Sequence, residues 1–287
     1  MTLRLGARTF TDTDLLVMAI VNRTPDSFFD RGATFSDEAA LAAVDRAVTE
    51  GADIVDIGGV KAGPGADVDA NEEIRRTVPF VAEVHSRHPH LIISIDTWRA
   101  SVAREAVAAG AALLNDTWAG ADPDLVTVAA ETGAALVCSH TGGHPPRTRP
   151  HRVTYDDVTA DVVATVSRLA EEAVAAGVRR DGILIDPTHD FGKNTRHSLE
   201  LTRRLGELTG TGWPVLVALS NKDFIGEALD LPIDQRLEGT LAATAISAWL
   251  GARVFRAHQV QATRRALDMV AAVRGTRPPA VARRGLA

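Results

Sequence analysis

The chain has 287 residues, of which 45% are hydrophobic and 24% are charged. This balance is typical of a globular protein with a full apolar core, and it excludes a mostly disordered chain. The formal net charge of −6 argues against a broad basic surface, so nucleic acid is not an expected partner. Because Cys138 is the one cysteine, the sequence excludes a disulfide framework and favours a reducing cytoplasm.

The N-terminal segment lacks the sustained apolar stretch of a signal peptide, and nowhere do about 18 apolar residues follow one another. We therefore expect no membrane association. Eight short apolar runs recur instead along the chain, and each has the near-continuous hydrophobicity of a buried parallel strand. They cover residues 15–21, 53–57, 92–95, 112–114, 134–137, 183–185, 215–219 and 253–255.

Alanine-rich segments with three- and four-residue apolar spacing lie between these runs, and they predict helices. The clearest cover residues 37–50, 72–84, 99–109 and 158–174. Ser36 and Thr154, each followed by acidic residues, are predicted to begin two of them. Glycines that supply a left-handed C-cap before the next run end several of these segments, namely Gly51, Gly110, Gly133 and Gly251.

Strand and helix alternate without a linker, and eight such units predict an α/β fold of the (β/α)8 TIM barrel type in a single domain, residues 1–273. The competing fold is an open doubly wound sheet with a glycine-rich dinucleotide turn. The nearest approach to that turn, residues 58–65, lacks the third glycine at the required spacing. Residues 274–287, rich in arginine and proline, are expected to form a flexible tail.

Polar residues stand at or just beyond the carboxyl end of every apolar run, where a barrel would bring them together at one mouth. They are Asn22, Asp56, Asp96, Asn115, Asp116, Ser139, His140, Asp186, Lys222, Arg256 and His258. Asp96, Asn115 and Asp186 suit the N–H and acceptor edge of an aminopyrimidine-like ring. The alternative is that these side chains cap the helices that follow.

Arg256 and His258 are two residues apart, so a strand would place them on one face, close to the usual phosphate site of a barrel. The pair therefore predicts a diphosphate ligand. The alternative is that Arg256 is a surface residue and His258 caps a helix. We expect Lys193 to lie on the solvated face of the next helix. His85, His88 and His90 follow a proline-broken helix end and are interpreted as surface histidines rather than a metal site.

The motifs at these positions, taken in order, resemble those of the dihydropteroate synthases. The resemblance covers nearly the whole chain. Its motifs are IVNRTPDSFFD (20–30), GADIVDIGG (51–59), ISIDT (93–97), Asn115-Asp116, the strand ending at His140, DPxxxFGK (186–193), LSxKxFIG (219–226) and RxHxV (256–260).

This resemblance implies a transferase that joins p-aminobenzoate to the methylene carbon of 6-hydroxymethyl-7,8-dihydropterin diphosphate and releases diphosphate. It implies catalytic roles for Asp96 and Lys222, and a homodimer formed through the later barrel helices. The implied pterin-binding residues are Asp96, Asn115, Asp186, Phe191 and Lys222. The diphosphate positions are Asn22, Arg256 and His258, and Asn22 is also the position of the Mg2+ cofactor.

The departures from this pattern gather on the p-aminobenzoate side, at Ala62, Gly63, Asp190, Asn221 and Asp223. Asp223 replaces a serine that helps the synthases to hold the substrate carboxylate. At about 4 Å and an effective dielectric constant near 20, the resulting repulsion would be roughly 4 kcal/mol. The alternative is that Asp223 turns away and pairs with Lys61 or Arg23.

Three hypotheses follow from this combination of matches and departures. The chain could be a dihydropteroate synthase, or a related transferase that uses a different, uncharged or cationic amine as acceptor. It is also similar to the second synthase-like paralogue of some bacteria, which has little or no synthase activity and would bind a pterin-like ligand or a partner. The altered positions predict that recognition of the pterin diphosphate survives better than recognition of p-aminobenzoate.

Overall fold

The computed structural model describes residues 2–24, 36–148 and 154–285, and the predicted barrel is confirmed. Eight parallel strands pair in the order β8-β7-β6-β5-β4-β3-β10-β9. Ile185 and Val215 close the ring, and the Ile185 N–H donates to the carbonyl of Pro214 at 2.9 Å. The strands are β3 (Leu16–Asn22), β4 (Ile54–Gly58), β5 (Ile92–Asp96), β6 (Leu113–Asp116), β7 (Ala135–Ser139), β8 (Ile183–Asp186), β9 (Leu216–Val217) and β10 (Val254–Ala257).

Helices cover the outside of the barrel, and all four segments singled out in the sequence are helical. Their bounds are α1 (Asp37–Thr49), α2 (Ala70–Arg87), α3 (Ala100–Ala108), α4 (Asp124–Thr132), α5 (Val158–Ala175), α6 (Thr195–Arg203), α7 (Leu205–Thr209), α8 (Asp223–Leu229), α9 (Leu237–Trp249) and α10 (Val260–Val273).

The helix ends follow the capping residues in most cases. The Ser36 hydroxyl accepts from the backbone N–H of Ala39 at the start of α1, as expected. The predicted glycines all adopt the left-handed conformation, with φ between +73° and +120°. The prediction for Thr154 is wrong, because the N-cap of α5 is Asp157, three residues later. There the carboxylate of Asp157 accepts from the backbone N–H of Ala160 at 2.9 Å.

An antiparallel hairpin, which the sequence did not suggest, precedes the barrel. It consists of β1 (Leu3–Leu5) and β2 (Arg8–Phe10). The apolar side chains of this hairpin are buried together with inward-facing residues of the barrel strands, including Leu16 and Met18. The hairpin therefore closes the amino end of the barrel, and the carboxyl end is left for ligands.

Alternate residues of each strand serve two cores. In β3, Leu16 and Met18 pack inside the barrel, whereas Val17, Ala19 and Val21 pack outward against the helices. This alternation gives a barrel with a filled interior, so the polar strand ends lie above a rigid apolar floor. After Val273 the described residues form no further helix or strand. Within the described ranges, no helix is long and apolar enough to cross a membrane.

Candidate functional site

An ion-paired network lies at the mouth, centred on Arg256 of β10. Its Nε donates to Oδ2 of Asp56 at 2.6 Å, and its Nη2 donates to Oδ2 of Asp96 at 2.9 Å. Parallel pairing puts Asp96 beside Asn115, whose Nδ2 donates to Asp56 at 3.0 Å. The Ser94 hydroxyl donates to the other oxygen of Asp56 at 2.6 Å. The fully buried Asp56 thus joins Asn115 to Arg256, and Arg256 in turn joins Asp96 to them.

Asp96 has the more open position of the two carboxylates, because 21% of its side chain is exposed whereas that of Asp56 is not exposed at all. Its Oδ1 accepts from the Thr117 hydroxyl at 2.9 Å. Burial raises the pKa of Asp96 to about 7 against the opposing charge of Arg256, and the neighbouring Asp56 adds to the rise. Such a group can exchange a proton near neutral pH.

Lys222 stands across the mouth, immediately before α8. Its Nζ donates to the carbonyl of His189 and lies 4.8 Å from the ring centre of Phe191. The Phe191 ring also meets Trp118 edge-on, at 5.3 Å between ring centres. Burial lowers the pKa of Lys222, and the carboxylates Asp190 and Asp186 oppose this shift. An ammonium beside an aromatic ring and two carboxylates suits a flat, polar heterocycle.

Asp186 ends β8 with its side chain buried, and its Oδ1 accepts from the backbone N–H of Thr188 at 2.7 Å. Burial raises its pKa, whereas the nearby charge of Lys222 acts to lower it. The Thr188 backbone is left-handed, with φ of +50°, and this sharp turn keeps the following residues close to the mouth. Asp186 and Lys222 therefore belong to one electrostatic group.

Asn22 and His258 lie at the ends of β3 and β10, which are neighbours in the barrel. A Cβ added to Gly58 would lie 3.8 Å from Asn22 Oδ1 and 3.7 Å from Asp96 Oδ2, so both oxygens border the same glycine. His258 Nδ1 lies 3.0 Å from the Ser220 hydroxyl. Burial, followed by the charge of Arg256, lowers the pKa of His258 to about 3. His258 is therefore a neutral hydrogen-bonding group rather than a second cation.

The oxygen of Asn22 beside Asp96 fits the chemistry of Mg2+, which keeps most of its waters and takes one or two protein oxygens together with substrate phosphates. A cage made of protein side chains alone is not present, since the described residues contain no cluster of three His, Cys, Asp or Glu side chains suited to a metal ion. His85, His88 and His90 accordingly form no such cluster, and His88 instead contacts Asp45 at 2.8 Å.

The loop after β4 carries Ala62 and Gly63 without regular structure. The Gly63 carbonyl accepts from Arg147 Nε at 3.4 Å, which links this loop to the segment after β7. Open space surrounds the position of a Cβ at Gly63, so a methyl group there would meet no steric barrier.

Asp223 is ion-paired with Arg236, at 2.9 Å between Oδ1 and Nη1, and 65% of its side chain is exposed. The expectation of a salt bridge is therefore met, but the expected partners Lys61 and Arg23 are wrong for this pair. Arg23 instead contacts Asp37. Solvent and the Arg236 charge weaken the field of Asp223, so the repulsion of roughly 4 kcal/mol expected for an unpaired carboxylate is an overestimate.

Asn221 faces into the protein. It is 1% exposed, its backbone N–H donates to Thr240, and its Nδ2 donates to Gln259 at 3.3 Å. Its carbonyl accepts from Arg236, the partner of Asp223. Asn221 and Asp223 thus share one arginine that holds the loop before α8. This arrangement makes Asn221 a structural residue of the loop before α8.

Asp190 lies in the loop after β8, and its side chain reaches the first turn of α8. Its Oδ2 accepts from the backbone N–H of Phe224 at 3.2 Å, and its Oδ1 accepts from the Ser198 hydroxyl at 2.9 Å. Burial raises the pKa of Asp190, opposed by the charge of Lys222. Of the carboxylates at altered positions, Asp190 is therefore the more enclosed.

The expectation that Lys193 lies on a solvated helix face is wrong. The residue is 3% exposed, and its Nζ donates to the carbonyl oxygens of His140, Thr188 and Phe191 at 2.8, 3.2 and 2.8 Å. Burial and the charge of Lys222 lower the pKa of Lys193 to about 7. Glycine at position 192 permits the close approach of this loop to Thr141, because a Cβ there would lie 2.2 Å from the backbone oxygen of Thr141.

Asp56 was expected at the mouth, but its role as the buried partner of Arg256 was not predicted, and neither was the role of Arg236. A signal existed for Asp56, since a carboxylate inside the apolar run of β4 needs a buried partner. None existed for Arg236, which a short turn at Ile233–Gln235 brings back to the loop before α8.

The chain is similar to known proteins along most of its length. Residues 18–258 match the family model described as "Pterin binding enzyme". A Mycobacterium leprae protein named "Inactive dihydropteroate synthase 2" is 63% identical over 276 residues, which are 95% of each chain. The Yersinia pestis dihydropteroate synthase, solved with a sulfonamide drug, is 36% identical with a TM-score of 0.91, over 96% of this chain and 100% of its own.

The Xanthomonas albilineans dihydropteroate synthase, solved in complex with 7,8-dihydropteroate, is 37% identical with a TM-score of 0.83. The match covers 98% of this chain and 100% of that one. The same barrel is therefore shared by synthases and by a protein named as inactive, so the choice between these functions depends on the residues of the mouth.

Proposed function

Because this chain belongs to the family of pterin-binding enzymes that includes the dihydropteroate synthases, we propose that its mouth binds 6-hydroxymethyl-7,8-dihydropterin diphosphate for a transfer reaction. The observation that carries the proposal is the contact of Asp96 with Arg256 at 2.9 Å. It joins a carboxylate suited to the pterin N–H groups to a cation suited to the diphosphate. Asn115, Asp186 and Lys222 complete the pterin end, with Phe191 beside the ring.

The proposed reaction breaks the bond between the pterin methylene carbon and the diphosphate oxygen, and the electron pair leaves with the diphosphate. An amine nitrogen then forms the new bond to carbon and loses a proton. Asp96 and Asp186 stabilise the positive charge that develops on the pterin, whereas Arg256 stabilises the leaving group. The guanidinium has five N–H donors, so contacts with Asp56 and Asp96 leave others for phosphate.

Asn22 is the residue proposed to hold Mg2+ together with the diphosphate, and His258 is proposed as a neutral donor to the same group. The ion would neutralise the charge of the leaving diphosphate. We also propose a cytoplasmic location, which is supported by the one cysteine, Cys138, being free and buried.

We propose p-aminobenzoate as a poor acceptor, because Ala62, Gly63, Asp190, Asn221 and Asp223 replace the residues that the synthases use on that side. The second candidate function is pterin binding without turnover. It is supported by the enclosed carboxylate of Asp190 and by the name of the M. leprae relative. Turnover measurements separate the two candidates, since both require that the pterin diphosphate binds.

Calorimetry should detect binding of the pterin diphosphate in the presence of Mg2+, with affinity about tenfold higher at pH 8 than at pH 6. The reason is that Asp96 accepts pterin N–H groups as a carboxylate, and its pKa of about 7 leaves it mostly protonated at pH 6. Asp96→Asn is the control, because it should remove this difference and leave only the titration of the diphosphate. Absence of binding at both pH values would contradict both candidate functions.

A homodimer is the proposed assembly, supported by an apolar surface on α6, α9 and α10. Five large side chains there are between 42% and 63% exposed, namely Leu199, Ile246, Trp249, Met269 and Val273. They border a groove of about 740 Å3 whose lining is almost entirely apolar. An exposed patch of this kind is typical of a protein interface.

Replacing Trp249 by glutamate should convert the dimer to a monomer at micromolar concentration, because a charge would be buried at the centre of the apolar surface. Light scattering coupled to gel filtration measures the mass directly. Val281→Glu is the matched control, since Val281 is 67% exposed outside this surface, and it should leave the mass unchanged. A monomeric wild-type protein would contradict the proposed assembly.

A further inference from the structure

The backbone at Asp190 points to a specific task for its side chain. Its φ of +69° lies in the left-handed region, where side-chain-bearing residues are disfavoured and glycine is favoured. Thr188 and Gly192 on either side are left-handed as well. Local strain of this kind persists where surrounding contacts hold it in place, and it occurs preferentially at functional sites.

Contacts of the backbone and of the side chain hold Asp190 in this conformation. Its backbone N–H donates to the Ser198 hydroxyl at 3.1 Å, and that hydroxyl donates back to Oδ1 at 2.9 Å. The other carboxylate oxygen accepts from the Phe224 N–H at 3.2 Å. Asp190 therefore connects the loop after β8 to the first turn of α8, and Ser198 of α6 fixes its position. A carboxylate of the protein already takes the amide of Phe224.

The charge balance on this side of the mouth follows from the same arrangement. Lys222 is influenced by the carboxylates of Asp190, Asp186 and Asp223, and the charge of Arg256 opposes them. The buried Lys193 also lies in the field of Asp186 and Asp190, so cations and carboxylates balance one another in this group as a whole. A substrate carboxylate that approached the first turn of α8 would nevertheless meet the negative charge of Asp190 directly, and such a charge acts over a longer range in a partly buried site than in water. Asp223 adds little to this field, because Arg236 neutralises it and solvent surrounds it.

We propose that Asp190 determines the specificity for the second substrate by repelling a carboxylate, so that the acceptor is a neutral or cationic arylamine. This inference rests on the proposed function, because the acceptor must approach a pterin that lies beside Lys222. The excluded class includes p-aminobenzoate. The accepted class consists of aromatic amines whose other end carries an uncharged or a positively charged group.

The test uses benzoate, benzamide and benzamidine, which share one ring, differ in charge and lack the amine that would react. Each is titrated by ligand-observed NMR into the full-length protein saturated with the pterin diphosphate and Mg2+. Benzamide and benzamidine should each bind at least about tenfold more tightly than benzoate. In Asp190→Asn, which keeps the size of the side chain, this preference should fall to within about threefold.

Two further variants keep the result interpretable. Asp190→Gly removes the charge and also suits the left-handed backbone, so it should show the same loss of preference if Asp190→Asn fails to fold. Asp223→Asn is the matched control and should keep at least half of the preference. If Asp223→Asn abolishes the preference instead, the selecting carboxylate is Asp223 and the inference about Asp190 is overturned.

The inference is also overturned if benzoate binds the wild-type protein as tightly as benzamide, if none of the three binds, or if Asp190→Asn keeps the full preference. Binding of the pterin diphosphate is measured first. Its absence contradicts the proposed function, and the three ligands are then titrated into the protein alone, so that failure of one idea can be told from failure of the other.

Discussion

Replacing Arg256 by methionine should weaken binding of the pterin diphosphate by at least about a hundredfold, or about 2.7 kcal/mol, and lower the free energy of unfolding by about 3–5 kcal/mol. The binding loss follows from removal of the cation proposed to meet the diphosphate. The stability loss follows because Asp56 is fully buried and would keep only the Ser94 hydroxyl and the Asn115 amide as donors. Calorimetry and urea denaturation measure the two effects.

The double variant Asp56→Asn, Arg256→Met separates these effects. It removes both charges of the buried pair, so much of the stability should return, whereas binding should stay weak because the cation is still missing. A variant that regained binding along with stability would show that Arg256 acts only by holding the fold.

Arg264→Met is the matched control for binding. Arg264 is also ion-paired, with Asp53 at 3.2 Å, but it lies near the amino end of the strands, where its Nη2 donates to the carbonyl of Leu15. Its loss should lower stability and leave the affinity for the pterin diphosphate unchanged. If both arginine variants lost binding equally, the effect of Arg256→Met would reflect general destabilisation.

The barrel could be predicted because its signal repeats. Each strand is a short apolar run, and each is followed by a polar residue that parallel pairing must carry to the same mouth. The sequence therefore predicts that Asp96 and Asn115 lie together, and their strands do pair in register. The hairpin at Leu3–Leu5 and Arg8–Phe10 could not be predicted this way, since three-residue strands are too short to show alternation.

The parts of the site that escaped prediction depend on loops rather than strands. The motif predicts that Asp223 faces the substrate or pairs with Lys61 or Arg23, but its partner is Arg236, thirteen residues later in the chain. No periodic pattern encodes that contact, because it requires the turn between α8 and α9. The motifs thus identify the altered positions, whereas the direction in which each altered side chain points depends on the tertiary fold.

Lys193 shows the same limit most clearly, because the segment Gly192-Lys193-Asn194 reads as the exposed start of a helix. Asn194 is indeed the N-cap of α6, with its side chain accepting from the His197 N–H at 3.0 Å. The left-handed Gly192 nevertheless turns the preceding backbone against Thr141 and sends Lys193 inward. Its ammonium then ties together the loops after β7 and β8, which carry His140 and Thr188.

Lys193→Met should therefore lower the free energy of unfolding by about 3 kcal/mol, since it keeps the length of the side chain but leaves three backbone carbonyls without their shared donor. For a chain of this size the melting temperature should fall by roughly 6–12 °C. Urea denaturation and thermal unfolding measure the loss. Lys61→Met, in the loop after β4, is the comparison variant and should cost less stability, because Lys61 is only partly buried whereas Lys193 is 3% exposed. An unchanged urea midpoint in Lys193→Met would mean that water replaces the ammonium, and that the two loops are held together by Gly192 and its neighbours rather than by Lys193.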